Sequence, residues 1–231
     1  MPAEAGPRPP CPVLLVHGFA SSADHNWRRP GWLDLLADAG RETIAVDLPG
    51  HGRAPRPTSS VGYPSVEDHV AGAIAGHDLV DAIGFSAGAH VLVRLAAAQP
   101  GRFRRLALLG IGDGVFGQAD PEPIVAALEG TTDPQNRTGI VFRRLADGLG
   151  NDPEALVAFL RRPQSPLAAA DVAGIACPVL VVLGDGDPAG PADALVAAMP
   201  DARLVMLRGV DHFGTPGDVR SMQAVLDFLD H

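Results

Sequence analysis

Val13-Leu14-Leu15-Val16 is a continuous run of β-prone apolar residues, so as a strand it must be buried on both faces. Similar runs return at Thr43 to Val46, Leu79 to Ile83, Leu106 to Leu109, Val179 to Leu183 and Arg203 to Leu207. Between them, residues 32–39, 66–75, 89–99, 191–199 and 217–229 carry apolar residues at helical spacing. Strands alternating with helices predict an α/β fold, a mostly parallel sheet of about six strands flanked by helices. Residues 114–170 break the pattern, with no strand signal, several prolines and helical spacing at 122–129, 139–149 and 153–161. That segment is too short for a core of its own. It reads as a helical cap inserted above the carboxyl edge of the sheet, leaving residues 1–113 and 171–231 as the α/β core.

The bulk numbers set the class. A chain of 231 residues, 46% apolar and 19% charged, suits one folded α/β domain. A formal charge of −9 argues against nonspecific binding to nucleic acid or to an anionic membrane. No stretch approaches a membrane-spanning length of apolar residues. Residues 1–12 are Pro-rich and lack the apolar centre of a signal peptide, so a cytoplasmic location is expected. Cys11 and Cys177 each precede Pro-Val-Leu at a strand start. Two strands should lie between theirs, putting them roughly 14 Å apart at the spacing of neighbouring strands. A disulfide reaches only about 7 Å, so free thiols are expected.

In a parallel sheet, ligands bind beyond the carboxyl ends of the strands. The segment after each run is therefore the place to search. His17-Gly18-Phe19 succeeds the first, Asp47 the second and Gly84-Phe85-Ser86-Ala87-Gly88 the third. Asp113 comes after the fourth, Asp185 and Asp187 after the fifth, and Asp211-His212 after the sixth. A strand, a Gly-x-Ser-x-Gly turn and a helix describe a nucleophile elbow, whose glycines remove collisions around a strained serine.

A serine hydroxyl needs an imidazole to take its proton, and a carboxylate to orient the ring. His212, in a loop long enough to reach back to Ser86, is the preferred base. His90 sits four residues beyond Ser86 and is expected to point away; His25 could at most line an entrance. For the acid, Asp187 precedes Pro188 and so stands in extended backbone, with Asp113 and Asp185 as the alternatives. The amides of Ala87, at a helix N-terminus, and Phe19, in the loop after the first strand, are the expected oxyanion donors. Asp47, His51 and Arg53 read as a buried turn that braces that loop. No metal-ligand cluster and no phosphate-binding loop after the first strand is seen, so no cofactor is expected.

With these residues in order from Val13 to the end, the chain resembles the α/β-hydrolase superfamily, in its serine-nucleophile branch. The resemblance rests on His17-Gly18-Phe19, Asp47-Leu48-Pro49-Gly50-His51-Gly52, Gly84-Phe85-Ser86-Ala87-Gly88, Gly184-x-x-Asp187 and Asp211-His212. It implies a triad of Ser86, Asp187 and His212, with Phe19 and Ala87 at the oxyanion. One departure is that the two antiparallel strands common ahead of the first strand are not seen. The exposed edge is then expected to be covered by a helix or by a partner in a homodimer.

A serine nucleophile excludes the aspartate-dependent branches and implies transfer of an acyl group to water. The expected activity is hydrolysis of a carboxylic ester, or a related acyl bond, of a small and partly apolar substrate. Alternatives are a cyclase, lyase or carbon–carbon hydrolase using the same pocket, or a ligand-binding protein without turnover. The arginines at 143, 144, 161 and 162 read as the solvated face of the cap, though one could meet a substrate carboxylate.

Overall fold

A computed structural model describes residues 11–230. Its sheet has six parallel strands, β1 (Val13–Val16), β2 (Thr43–Val46), β3 (Val80–Phe85), β4 (Phe103–Leu109), β5 (Val179–Gly184) and β6 (Ala202–Leu207). They lie in the order β2-β1-β3-β4-β5-β6. From β1 the chain steps outward to β2, then crosses back to β3 and proceeds to the far edge. The reversal therefore falls between β1 and β3, the position at which a parallel sheet opens a crevice. Val16 pairs with Gly84 there, so the loops leaving the two strands start side by side.

Because the strands are apolar on both sides, alternate residues feed two cores. Leu14, Val16, Leu106, Leu108, Val181 and Leu183 face one layer. There they meet helices α2 (Val66–Ala73), α3 (Ala87–Ala98), α7 (Ala169–Val172) and α8 (Asp193–Ala198), and residues of the segment between β4 and β5. Leu15, Ile83, Phe85, Leu109, Leu180 and Val182 face the other layer, packed on α1 (Trp32–Asp38) and α9 (Val219–Asp230). Trp27 and Trp32, both fully buried, meet edge-on in that second core. Between β4 and β5 the described residues form no strand; a 3-10 turn at Asp113–Phe116 precedes α4 (Glu122–Leu128), α5 (Arg137–Leu149), α6 (Pro153–Arg161) and α7, joined by loops.

Most boundaries fall within a residue or two of the sequence reading, and the departures have causes. β4 starts at Phe103, three residues ahead of the apolar run, because Arg104, only partly exposed, is paired across the sheet. Arg104 reaches across to Asp81 of β3 at 2.6 and 2.8 Å, and Arg41 pairs with the same carboxylate. Asp81 is fully buried, and paired charges make that tolerable. The loop after β1, read as irregular, contains a π-helical turn at Asp24–Arg28 that seats Trp27. Cys11 and Cys177 are free thiols, with β3 and β4 between their strands. No helix among the described residues is long and apolar enough to cross a membrane.

Candidate active site

Ser86 stands between β3 and α3, as the N-cap of the helix, with φ 51° and ψ −115°, a positive-φ conformation that costs energy for any residue with a Cβ. Two close approaches hold it. A Cβ on Gly88 would lie 2.2 Å from the Val16 carbonyl oxygen, and one on Gly84 2.8 Å from the Ala89 nitrogen. The elbow thus presses α3 against β1 and β3, leaving the serine side chain above the sheet.

The structure joins Ser86 to two other predicted residues. His212 Nε2 lies 2.9 Å from Ser86 Oγ, and its Nδ1 lies 2.9 Å from both carboxylate oxygens of Asp187. The Asp187 side chain is fully buried and also accepts the Ala189 N–H at 2.8 Å. The competing acids are occupied elsewhere. Asp113 accepts the Leu195 N–H in α8, and Asp185 accepts the Gly209 N–H. Neither is hydrogen-bonded to His212.

The N–H groups of Phe19, in the loop leaving β1, and of Ala87, at the N-terminus of α3 after the adjacent strand, make no hydrogen bond among the described residues. The Phe19 loop is braced from several directions. Gly18 N–H donates to Asn26 Oδ1 at 3.0 Å, and Ala23 N–H donates to Asp47 at 2.8 Å. His17 accepts the Leu48 N–H on Nε2, and its Nδ1 sits 2.7 Å from the Gly18 carbonyl. Asp47 also accepts the Arg53 N–H, so this turn is a scaffold for the loop. Ala20, next to Phe19, has φ 55°; with Ser86 it is one of the two non-glycine residues of positive φ among those described.

Asn151, just before α6, escaped sequence reasoning. Its Oδ1 accepts the Gly52 N–H at 2.8 Å, and its Nδ2 donates to the Ala20 and Ser21 carbonyls at 2.9 and 3.2 Å. It ties the helical segment to both loops. Asn151→Ala should leave those three backbone groups unpaired, costing about 1–3 kcal/mol. A slackened Phe19 loop should also lower kcat by about tenfold. Urea midpoints and turnover assays on the variant read both effects, and unchanged kcat would remove this positioning role.

The cleft at Ser86 holds about 410 Å³ and is lined by Phe19, His25, Phe142, Leu145, His212 and Phe213 among others. Phe142 meets both Phe19 and Phe213 at 5.5 Å between ring centroids, so apolar walls surround the polar chain. Arg144 lies at its mouth. His90, expected to point away, lines a neighbouring cavity together with Ala87.

Burial, above all, lowers the His17 imidazole to about 4 and that of His51 to about 3. Both rings are therefore neutral when folded, while unfolded they titrate near 6.5. A depressed histidine contributes stability above the unfolded pKa and loses it as protons bind the unfolded chain. Stability should therefore be level above about pH 7 and fall from about pH 6.5 toward 4. Each ring contributes up to roughly 1.4 kcal/mol per pH unit to that fall. Thermal midpoints that stay flat from pH 7.5 to 4.5 would contradict it.

Comparison with known proteins agrees with this architecture. The model of the Alpha/beta hydrolase family matches residues 13–224. A curated relative, 2-hydroxy-6-oxononadienedioate/2-hydroxy-6-oxononatrienedioate hydrolase 2 of Pseudomonas putida, is 28% identical, covering 95% of this chain and 87% of its own. Pimeloyl-[acyl-carrier protein] methyl ester esterase of Nitrosomonas europaea is also 28% identical, over 87% and 88%. Other curated relatives, a haloalkane dehalogenase of Psychrobacter cryohalolentis among them, are matched over less than half of their own length. Among solved structures, the enol-lactonase from Burkholderia xenovorans LB400 superimposes with a TM-score of 0.73 at 21% identity, covering 96% and 92% of the two chains. With a family match spanning nearly the whole parallel sheet and its helices, the chain belongs to the alpha/beta hydrolase family.

Proposed function

We propose that this chain is a serine hydrolase that cleaves a carboxylic ester, or a related acyl bond, of a small and partly apolar substrate. The carrying observation is the unbroken hydrogen-bonded chain from Ser86 through His212 to Asp187. In this reading Ser86 Oγ attacks the acyl carbon while His212 Nε2 takes its proton, and Asp187 stabilises the imidazolium. The carbonyl oxygen becomes an oxyanion between the Phe19 and Ala87 N–H groups. Collapse breaks the bond to the leaving group, which receives the proton from His212. Water then attacks the acyl-Ser86 ester with His212 again as base, releasing the acid and restoring the hydroxyl.

Helices α4, α5 and α6, within residues 114–170, serve in this reading as the cap, since Phe142 and Leu145 of α5 wall the cleft. The Nitrosomonas europaea relative is named an ester esterase, which supports the ester reading. A second reading, hydrolysis of a carbon–carbon bond by the same nucleophile, draws on the Pseudomonas putida relative, whose named substrate carries an oxo group. A cytoplasmic location, and a homodimer paired over an open sheet edge, complete the proposal. A fluorophosphonate tests it directly: a single adduct on the Ser86 peptide should accompany loss of p-nitrophenyl butyrate turnover. No adduct, and no turnover across a panel of esters, lactones and diketones, would defeat the reading.

A further inference from the structure

Phe19 separates two openings. One is the cleft of Ser86 and His212; the other is a cavity of about 680 Å³ lined by Phe19, Ala87, His90, Arg94, Phe159 and Arg162 among others. Their walls meet at consecutive residues, because Ser86 faces the first and Ala87 the second. A substrate whose acyl carbon sits at Ser86 therefore has this cavity next to it.

The cations in that cavity are unusual. Arg144 lines the Ser86 cleft, and the other three cap arginines divide by placement. Arg143 is held by Asp147 and the Leu128 carbonyl, and Arg161 by Glu122 and Glu129. Arg162 makes no ion pair among the described residues; its guanidinium lies 3.7 Å from the centre of the Phe159 ring and donates to the Phe159 carbonyl. Arg94, on the elbow helix, also has no ion pair among them, and its Nε is buried without a partner. Burial, before any other cause, lowers the pKa of both guanidiniums and brings the His90 imidazole down to about 4. Each arginine also depresses His90.

The acids nearby do not cancel them. Glu67 attracts both arginines and Asp171 attracts Arg94, and both acids line an adjoining opening with Arg94, but neither forms an ion pair with an arginine of the cavity among the described residues. Asp120 on the cavity wall has its carboxylate turned to the Glu122 N–H. Two partly desolvated guanidiniums thus line one space, and neither has an ion-pair partner among the described residues. Such an arrangement is costly until an anion fills it.

We propose that this cavity is a carboxylate-binding subsite, in which Arg94 and Arg162 hold the distal carboxylate of a substrate whose acyl group lies at Ser86. The substrate class is then a half-ester of a short dicarboxylic acid, its methylenes running past Phe19 and Ala87. The inference rests on the serine-hydrolase reading of Ser86. Neutral His90 can add a hydrogen bond to the anion without repelling it.

The test compares mono-p-nitrophenyl glutarate with p-nitrophenyl butyrate in wild type, Arg94→Gln, Arg162→Gln and Arg162→Lys. Wild type should favour the half-ester in kcat/KM by about tenfold or more, the gain expected of a charge-assisted bond to carboxylate. That preference should collapse in either glutamine variant and return in part with lysine. Free glutarate should compete with the butyrate ester, whereas glutaramide should not. Calorimetry on Ser86→Ala with both arginines intact reads glutarate binding without turnover or a weakened fold. Serine-dependent hydrolysis with equal kcat/KM for both esters, and no glutarate binding, would overturn the subsite and leave the hydrolase standing. Turnover that survives Ser86→Ala would instead overturn the hydrolase reading on which the inference rests.

Discussion

Ser86→Ala is expected to lower kcat for a short p-nitrophenyl ester by about 10⁶-fold, leaving KM within a few-fold of wild type. In the proposed acyl-enzyme route, Ser86 is the one group that cannot be replaced. Removing its oxygen leaves the cleft, the His212–Asp187 pair and the free N–H groups in place. Some rate above the uncatalysed reaction should persist from those parts alone. Stability should hardly move, because alanine at φ 51° bears the same backbone strain as serine, and no fold contact depends on the hydroxyl. Active-site loss without a lower thermal midpoint separates this variant from a folding defect. A variant retaining a tenth of wild-type kcat would show that Ser86 is not the nucleophile.

How far each feature can be read from sequence depends on how local its cause is. The elbow is legible because its requirements sit within five residues, two glycines relieving contacts with neighbours that any strand–turn–helix would bring close. The sheet is legible because residues buried on both faces must be continuously apolar. Asn151 is not legible. It lies some 130 residues from the Ala20 and Ser21 carbonyls it holds, and nothing in its own neighbourhood marks it. The four cap arginines are indistinguishable as letters, and only tertiary placement pairs Arg143 and Arg161 while leaving Arg162 against Phe159. The start of β4 stayed hidden for a related reason. Arg104 looks like a solvent-facing residue until Asp81, one strand away, is seen beneath it.

Asp187→Asn should lower kcat by about 10⁴-fold while Asp113→Asn leaves it within a few-fold, a contrast that settles which acid serves His212. The sequence leaves three carboxylates open, at 113, 185 and 187. In the structure only Asp187 faces the ring, at 2.9 Å through both oxygens. A carboxylate accepts the Nδ1–H and keeps Nε2 free to take the serine proton. An asparagine there can present its NH₂ instead, which favours the opposite tautomer and turns Nε2 into a donor toward Ser86 Oγ. It also leaves the transient imidazolium without its counter-charge. The Ala189 N–H bond to position 187 can survive on the asparagine oxygen, so the fold should tolerate the change. Asp113→Asn, by contrast, keeps an acceptor for the Leu195 N–H but removes a negative charge beside the first turn of α8, and should cost about 0.5 kcal/mol of stability. The two variants thus separate along different axes, rate for one and midpoint for the other. If Asp113→Asn carried the rate loss instead, the hydrogen bonds of His212 would have to rearrange during turnover, and the assignment of Asp187 would fall.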